Sequence, residues 1–206
     1  KLMKINKIII NLIIILIGFT NACSEEVEFK ANNIEIKENG NKVFAYNSET
    51  IISIEKIRII SNKVRYNKID DILVFTNQVQ FDDKKNDVII RGKEIRYEKK
   101  KNLIYSRGNT EFDVYGIYKI VSKNVYFDRE KQIIYGSEDT NIIDEKNNIF
   151  NLKNKFKFDI KNEILKSKKS DIIDNKGNRY KFQDLAVNLK INEIVGKEIK
   201  VEFNKT

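Results

Sequence analysis

The feature that most constrains this chain is a repeat of about 31 residues. Five segments mark it: Val64-Arg65-Tyr66, Ile95-Arg96-Tyr97, Val125-Tyr126-Phe127, Phe156-Lys157-Phe158 and Val187-Asn188-Leu189. Their last residues follow one another at intervals of 31, 30, 31 and 31. An apolar pair recurs shortly after each, as Ile72-Leu73, Leu103-Ile104, Ile133-Ile134, Ile164-Leu165 and Ile194-Val195. Beyond a second polar turn a further strand is expected, carrying Val79 and Phe81, Thr110 and Phe112, Thr140 and Ile142, Ile172 and Ile173, then Val201 and Phe203. A partial copy through Ile34-Glu35-Ile36 and Val43-Phe44-Ala45 brings the array to about six units. No unit of this size buries its apolar face alone, so the copies must stack on a shared core.

From Val27 onward, apolar and polar residues alternate in short runs separated by Asn, Asp, Lys and Gly, which is the pattern of half-buried strands joined by tight turns. No segment sustains a helical period. Alternate residues of a strand share a face, so Val64 lies with Tyr66, Ile95 with Tyr97 and Phe156 with Phe158 on the interior side. Stacking then aligns Tyr66, Tyr97, Phe127, Phe158 and Leu189 into a ladder along the long axis. The segments Asn67-Lys68-Ile69-Asp70, Glu98-Lys99-Lys100-Lys101 and Asp128-Arg129-Glu130-Lys131 read as turns whose polar side chains belong in solvent. The carboxylate pairs Asp70-Asp71 and Asp82-Asp83 read the same way. No proline interrupts a strand, while Gly92, Gly108 and Gly136 mark bulges or close turns.

Composition narrows the function classes. Charged residues make up 33% of the 206 and the net charge is +9, carried mainly by lysine. Such a balance suits an acidic partner, and equally a solvated lysine-rich surface. The chain has no His and a single Cys, which excludes an intrachain disulfide framework and the usual zinc sites. No cofactor or metal is expected. The acidic residues lie in repeated turns rather than in one asymmetric cluster, so the chain reads as a non-enzyme. Nucleic-acid binding is disfavoured by export and by the lack of one basic stripe with interleaved aromatics.

The N-terminus reads as an export address. Lys1 to Lys7 is basic and Ile8 to Phe19 is an apolar run broken only by Asn11, too short for a comfortable membrane span. The expected division is a signal peptide over 1–22 and a repeat domain over 23–206. Removing Lys1, Lys4 and Lys7 with the leader lowers the charge from +9 to +6. Cys23 follows the small residue Ala22 and is the candidate lipidation site of a lipoprotein-type signal. Simple cleavage, lipidation and an uncleaved anchor stay open, and all three place the body outside the cytoplasm. The chain opens on Lys1 with Met3 behind it, so the reading takes Met3 as the start or the chain as a fragment.

Taken together, these residues resemble the OstA-like family, the periplasmic β-jellyroll domains of bacterial lipopolysaccharide transport. That unit runs as an apolar-x-Tyr/Phe-Asp strand end, a polar turn, a Leu-x-Ala/Gly step and a Gly-Asn-Val strand. The nearest matches are Val125-Tyr126-Phe127-Asp128 with Ile134-Tyr135-Gly136, and Ile95-Arg96-Tyr97 with the stretch from Ile104 to Thr110 that contains Gly108-Asn109. Phe75 and Lys197 depart from it, standing where a small residue is expected. Asn33-Ile34-Glu35-Ile36, followed by Glu38-Asn39-Gly40-Asn41-Lys42, is similar to the opening of the N-terminal periplasmic domain of the outer-membrane assembly protein, with the soluble bridge protein as the near alternative. The resemblance implies an all-β fold, an elongated, open-ended, twisted β-jellyroll of antiparallel strands.

It also implies a role. A gaping jellyroll shelters the acyl chains of lipopolysaccharide, whose exposure to water costs about 0.8 kcal/mol per CH₂. The expected groove lining is Val64, Tyr66, Phe81, Ile95, Tyr97 and Phe112, continuing through Val125, Phe127, Ile142, Phe156 and Phe158. Partners implied are lipopolysaccharide, proteins of the same fold joined by edge-strand addition, and the outer-membrane assembly machinery, with the chain in the periplasm beside the outer membrane. The competing reading is an exported structural or adhesive β-solenoid, or a lipoprotein carrying such a domain. A solenoid has a closed dry core, whereas a transport jellyroll admits lipid.

Overall fold

The computed structural model describes residues 27–204. The 1–22 leader and Cys23 lie outside the described residues. The strands run β1 Val27–Lys37, β2 Lys42–Ile52, β3 Ile57–Asn67, β4 Ile72–Asp83, β5 Val88–Glu98, β6 Leu103–Val114 and β7 Tyr118–Asp128, then β8 Ile133–Gly136, β9 Thr140–Ile143, β10 Ile149–Asp159, β11 Ile164–Ile173, β12 Arg179–Asn188, β13 Glu193–Lys197 and β14 Lys200–Glu202. All pairings are antiparallel and follow chain order from β1 to β13 within one sheet. Two strands are split: β8 and β9 both lie between β7 and β10, while β13 and β14 both pair with β12. The expected all-β architecture of repeated antiparallel strands is what the chain adopts.

The repeat is built from two long strands, not three short ones. The apolar pair Ile72-Leu73 and the later Val79 and Phe81 belong to one strand, β4, and the polar residues between them form a mid-strand bend. At that bend Asn77 and Gln78 take positive φ and the register with β5 slips between Thr76 and Val79. Equivalent irregularities recur at Asn47, Gly108, Asn124, Asn154 and Lys169, all with positive φ. Asparagine and glycine tolerate this conformation, and a bulge bends the strand that carries it. The long strands that carry such an irregularity therefore bend partway along.

The bend gives the molecule its proportions. Stepping from β1 to β13 at about 4.8 Å per strand gives a length of roughly 50 Å, while an 11-residue strand bent in the middle spans roughly 18 Å. The two halves of the sheet face each other across a core. One half carries the ladder Val43, Tyr66, Leu73, Tyr97, Ile104, Phe127, Ile134, Phe158, Leu165 and Val187, each opposite the next. The other carries Ile59, Phe81, Ile90, Phe112, Ile120, Ile142, Phe150 and Ile172 in the same manner. Over most of each row aromatic anchors alternate with aliphatic residues, the exceptions being Leu165 beside Val187 and Ile120 beside Ile142.

One position of the predicted ladder moves. Val187, not Leu189, stands opposite Leu165 and completes the row, because the last unit is shorter than the others. The backbone bonds between successive turns make this visible. Lys68 N, Lys99 N, Arg129 N, Ile160 N and Leu189 N each donate to the turn before, so Leu189 is the equivalent of Ile160 and not of Phe158.

Candidate functional site

The residues expected to line a groove lie together in a single continuous core. Val64, Phe81, Ile95, Tyr97, Phe112, Val125, Phe127, Ile142 and Phe158 are wholly buried, Phe156 is 3% exposed and Tyr66 9%. Edge-on ring contacts join the two walls, at 5.8 Å between Phe81 and Tyr97 and 5.3 Å between Tyr118 and Phe158. Near the bends the interior side chains become small hydroxyls. Ser106 meets Thr110 at 2.6 Å, and Ser122 meets Thr140 at 2.6 Å. Short polar side chains let the walls approach where the strands fold, and these two pairs satisfy each other there, whereas the buried hydroxyls of Ser48, Thr50 and Ser170 find no hydrogen-bond partner.

At the opposite side, where the strand ends of both halves converge, the walls are tied by a buried polar cluster. Its centre is Arg129, whose side chain is 4% exposed. Arg129 Nε donates to Asp83 Oδ2 at 2.7 Å, Nη1 donates to Tyr97 Oη at 2.7 Å and to Asn102 Oδ1 at 3.1 Å, and Nη1 also pairs with Glu55. The Tyr97 hydroxyl in turn donates to Glu55. Asp83 is wholly buried and also accepts from Asn86 Nδ2 at 2.7 Å, while Gln132 Nε2 donates to Asn86 Oδ1 at 2.9 Å. Farther along, Tyr118 donates to Glu163 at 2.8 Å. Glu55, Asp83 and Asn86 come from turns at one end of the strands, whereas Tyr97, Asn102, Arg129 and Gln132 come from the other. The cluster is a closed seam across the mouth of the fold.

The electrostatics follow from burial and pairing. Desolvation opposes the charge on Arg129, but its hydrogen bonds and proximity to Asp83 overcome this and raise its pKa. Burial, reinforced by hydrogen bonding to Glu55, pushes the Tyr97 phenol well above its ordinary value even though the Arg129 charge pulls the other way. Burial and then the bond to Glu163 do the same for Tyr118. Both phenols hold their protons more tightly than a free tyrosine does.

This cluster corrects two sequence readings. Arg129 and Asp83 are interior groups, not solvated turn residues, and Lys99 is buried against Asp71 at 3.6 Å. The repeat did not carry the signal plainly: the turn position of Arg129 is filled by Ile160 and Leu189 in later units but by lysine in earlier ones, Lys68 being exposed.

Among the described residues, both ends of the core lack a polar cap. On β1, Val27, Phe29 and Ala31 pack only partly against the interior, and Ile36 is 67% exposed. At the other end Ile194, opposite Val187 of the ladder, and Val201 are exposed and Phe203 is 74% exposed. The outer edges of β1 and of β13 and β14 pair with nothing among the described residues. A separate concave hollow of about 990 Å³ lies over β7 to β13, and of the predicted groove residues it touches only Phe156. Among the described residues no group of three or more His, Cys, Asp or Glu is placed to hold a metal ion, and no helix is long and apolar enough to cross a membrane.

No family model matches the chain, and no curated protein does. Among solved structures it is similar to that of LptH, the LptA homologous periplasmic component of the conserved lipopolysaccharide transport device from Pseudomonas aeruginosa. The TM-score is 0.30 and the identity 7%, over 74% of this chain and 97% of that one.

Proposed function

We propose that this chain is an extracytoplasmic lipid-handling module that shelters acyl chains between its two walls and passes them along its length. The observation that carries the reading is one apolar core shared by β2 to β12, with apolar side chains of β1 packed partly against it and, among the described residues, exposed apolar side chains at both ends. A repeat protein that must be soluble alone ends in units with polar outer faces. Here, among the described residues, the terminal strands present apolar side chains and an unpaired outer edge, which suits addition of a like-folded partner at β1 and at β13 and β14, extending one interior into the next. Lipopolysaccharide is the proposed cargo and the periplasm, beside the outer membrane, the proposed place. The groove residues, from Val64 and Tyr66 through Phe127 to Phe158, are the proposed contacts. Because they pack against each other, entry of a chain requires the walls to part, and the seam at Arg129 is where parting is resisted.

A second reading follows from that same seam. A core closed at its mouth suits an exported structural repeat whose interior never opens. Photocrosslinking separates the two: a benzophenone side chain at Phe127, and another at Phe29 near the open end, should form adducts with lipopolysaccharide. Absence of adducts at both positions in folded protein would remove the lipid reading and leave the structural one.

A further inference from the structure

The hollow on the outer face of β7 to β13 has a composition that the interior reading does not use. Cross-strand register sets Tyr126, Tyr135, Lys157, Lys166, Ala186 and Val195 in one row, each opposite the next. Tyr126 stacks on Tyr135 with ring centres 5.2 Å apart and planes 11° apart, which makes an apolar wall at one end. Val195 stands at the other end, and the small side chain of Ala186 leaves the space between.

The middle of the row is the unusual part. Lys157 and Lys166 are directly opposite on neighbouring strands, and both are exposed on the outer face. Like charges in that relation repel, with side-chain origins about 5 Å apart. Lys155 and Lys197 also line the hollow. The two carboxylates there are already engaged: Asp128 with Lys131 at 2.9 Å and Asp184 with Lys168 at 3.7 Å. Lys155, Lys157 and Lys166 form no ion pair among the described residues, while Lys197 stands directly opposite Asp184. A sheet that places three unpaired ammonium groups round an apolar hollow is arranged for an anion with an apolar body.

We propose that this outer hollow is a second ligand site, separate from the interior, which takes a single-chain acidic amphiphile: an aliphatic chain bearing a phosphate or carboxylate. The head bridges Lys157 and Lys166, relieving their repulsion through charge-assisted bonds, and the chain lies over Ala186 towards Val195. Its volume is of the order that small-ligand sites reach. A nucleic acid fits less well, because the tyrosine rings stack on each other and leave few faces for bases. An acidic sugar fits less well, because the row offers mainly apolar surface and lysine ammonium groups.

Calorimetric titration of the whole chain with dodecyl phosphate, below its micelle concentration, tests the proposal. Inorganic phosphate and dodecyl maltoside serve as the charge-only and chain-only probes. Dodecyl phosphate is expected to bind, and the double variant Lys157→Gln with Lys166→Gln is expected to weaken it at least about tenfold, as is Ala186→Phe, which fills the hollow. Lys85→Gln, on a turn away from the hollow, should leave binding unchanged. Without ligand, Lys166→Gln should raise the urea midpoint, because it removes a repulsion; a role confined to fold stability would lower it. The proposal is overturned if dodecyl phosphate does not bind, if either control probe binds as well, or if the double variant binds unchanged. That last outcome would place the chain in the interior and leave the interior reading standing.

Discussion

Replacing Arg129 by Met should cost this protein about 3–5 kcal/mol. The size comes from what the guanidinium leaves behind. Asp83 is wholly buried and the Glu55 side chain is 10% exposed, so both carboxylates lose their cation without gaining water. A surface ion pair would contribute no more than about 1 kcal/mol, and Arg58 with Glu49, at 2.5 Å but substantially exposed, supplies that comparison inside the same protein. For a domain of this size the loss corresponds to a fall in Tm of roughly 6–20 °C. Urea unfolding followed by far-UV circular dichroism, with linear extrapolation, measures it directly. The triple variant Arg129→Met, Glu55→Gln, Asp83→Asn removes the charges together and should recover much of the loss, because the penalty belongs to unpaired buried charge and not to the missing side chain. A loss below about 1 kcal/mol for Arg129→Met, or a triple variant no better than the single one, would refute the account of the seam as a buried, mutually compensated cluster.

The raised phenol pKa values of Tyr97 and Tyr118 fix the alkaline behaviour. In the folded state both hold their protons more tightly than in the unfolded chain, so their contribution is complete below the ordinary tyrosine value of about 10 and is lost as pH rises above it. Stability measured by urea titration should fall above about pH 10, and Tyr97→Phe should flatten that fall while lowering stability at neutral pH by about 1 kcal/mol. Gly136→Ala would set a methyl group 2.9 Å from Cε1 of the buried Phe156 ring, and should destabilise by about 1–3 kcal/mol in the same assay. The apolar ends predict association: sedimentation velocity should show assemblies growing with concentration, and Ile36→Lys with Phe203→Lys should return the chain to a monomer without loss of fold.

Much of this architecture was legible in the repeat. A period of 31 with strand alternation points to stacked strands on a shared core, and the interior side of Val64, Tyr66, Phe81, Ile95, Tyr97, Phe112, Phe127 and Phe158 follows from the two-residue period. Burial is a local question of which side a residue faces, and alternation answers it. Three things depended on tertiary structure. The polar stretch around Asn77 and Gln78 looked like a turn between strands, because a bend and a turn use the same residues; only pairing with β5 on both sides of it shows one continuous strand. Leu189 looked like a ladder rung, because counting by 31 cannot register a unit that is shorter. Arg129 and Asp83 looked like solvated charges, since a charge is inexpensive to bury only when its partners are at hand, and the partners of Arg129, namely Asp83 and Glu55, lie 46 and 74 residues away in sequence. The outer lysine row is of the same kind. Lys157 and Lys166 are nine residues apart in the chain, and it is the hairpin register that sets their like charges face to face. The sequence thus determined which side of each strand is apolar, because that is written in neighbouring residues; only the folded structure decided where the walls close and where charge is left uncompensated, because those are relations between distant ones.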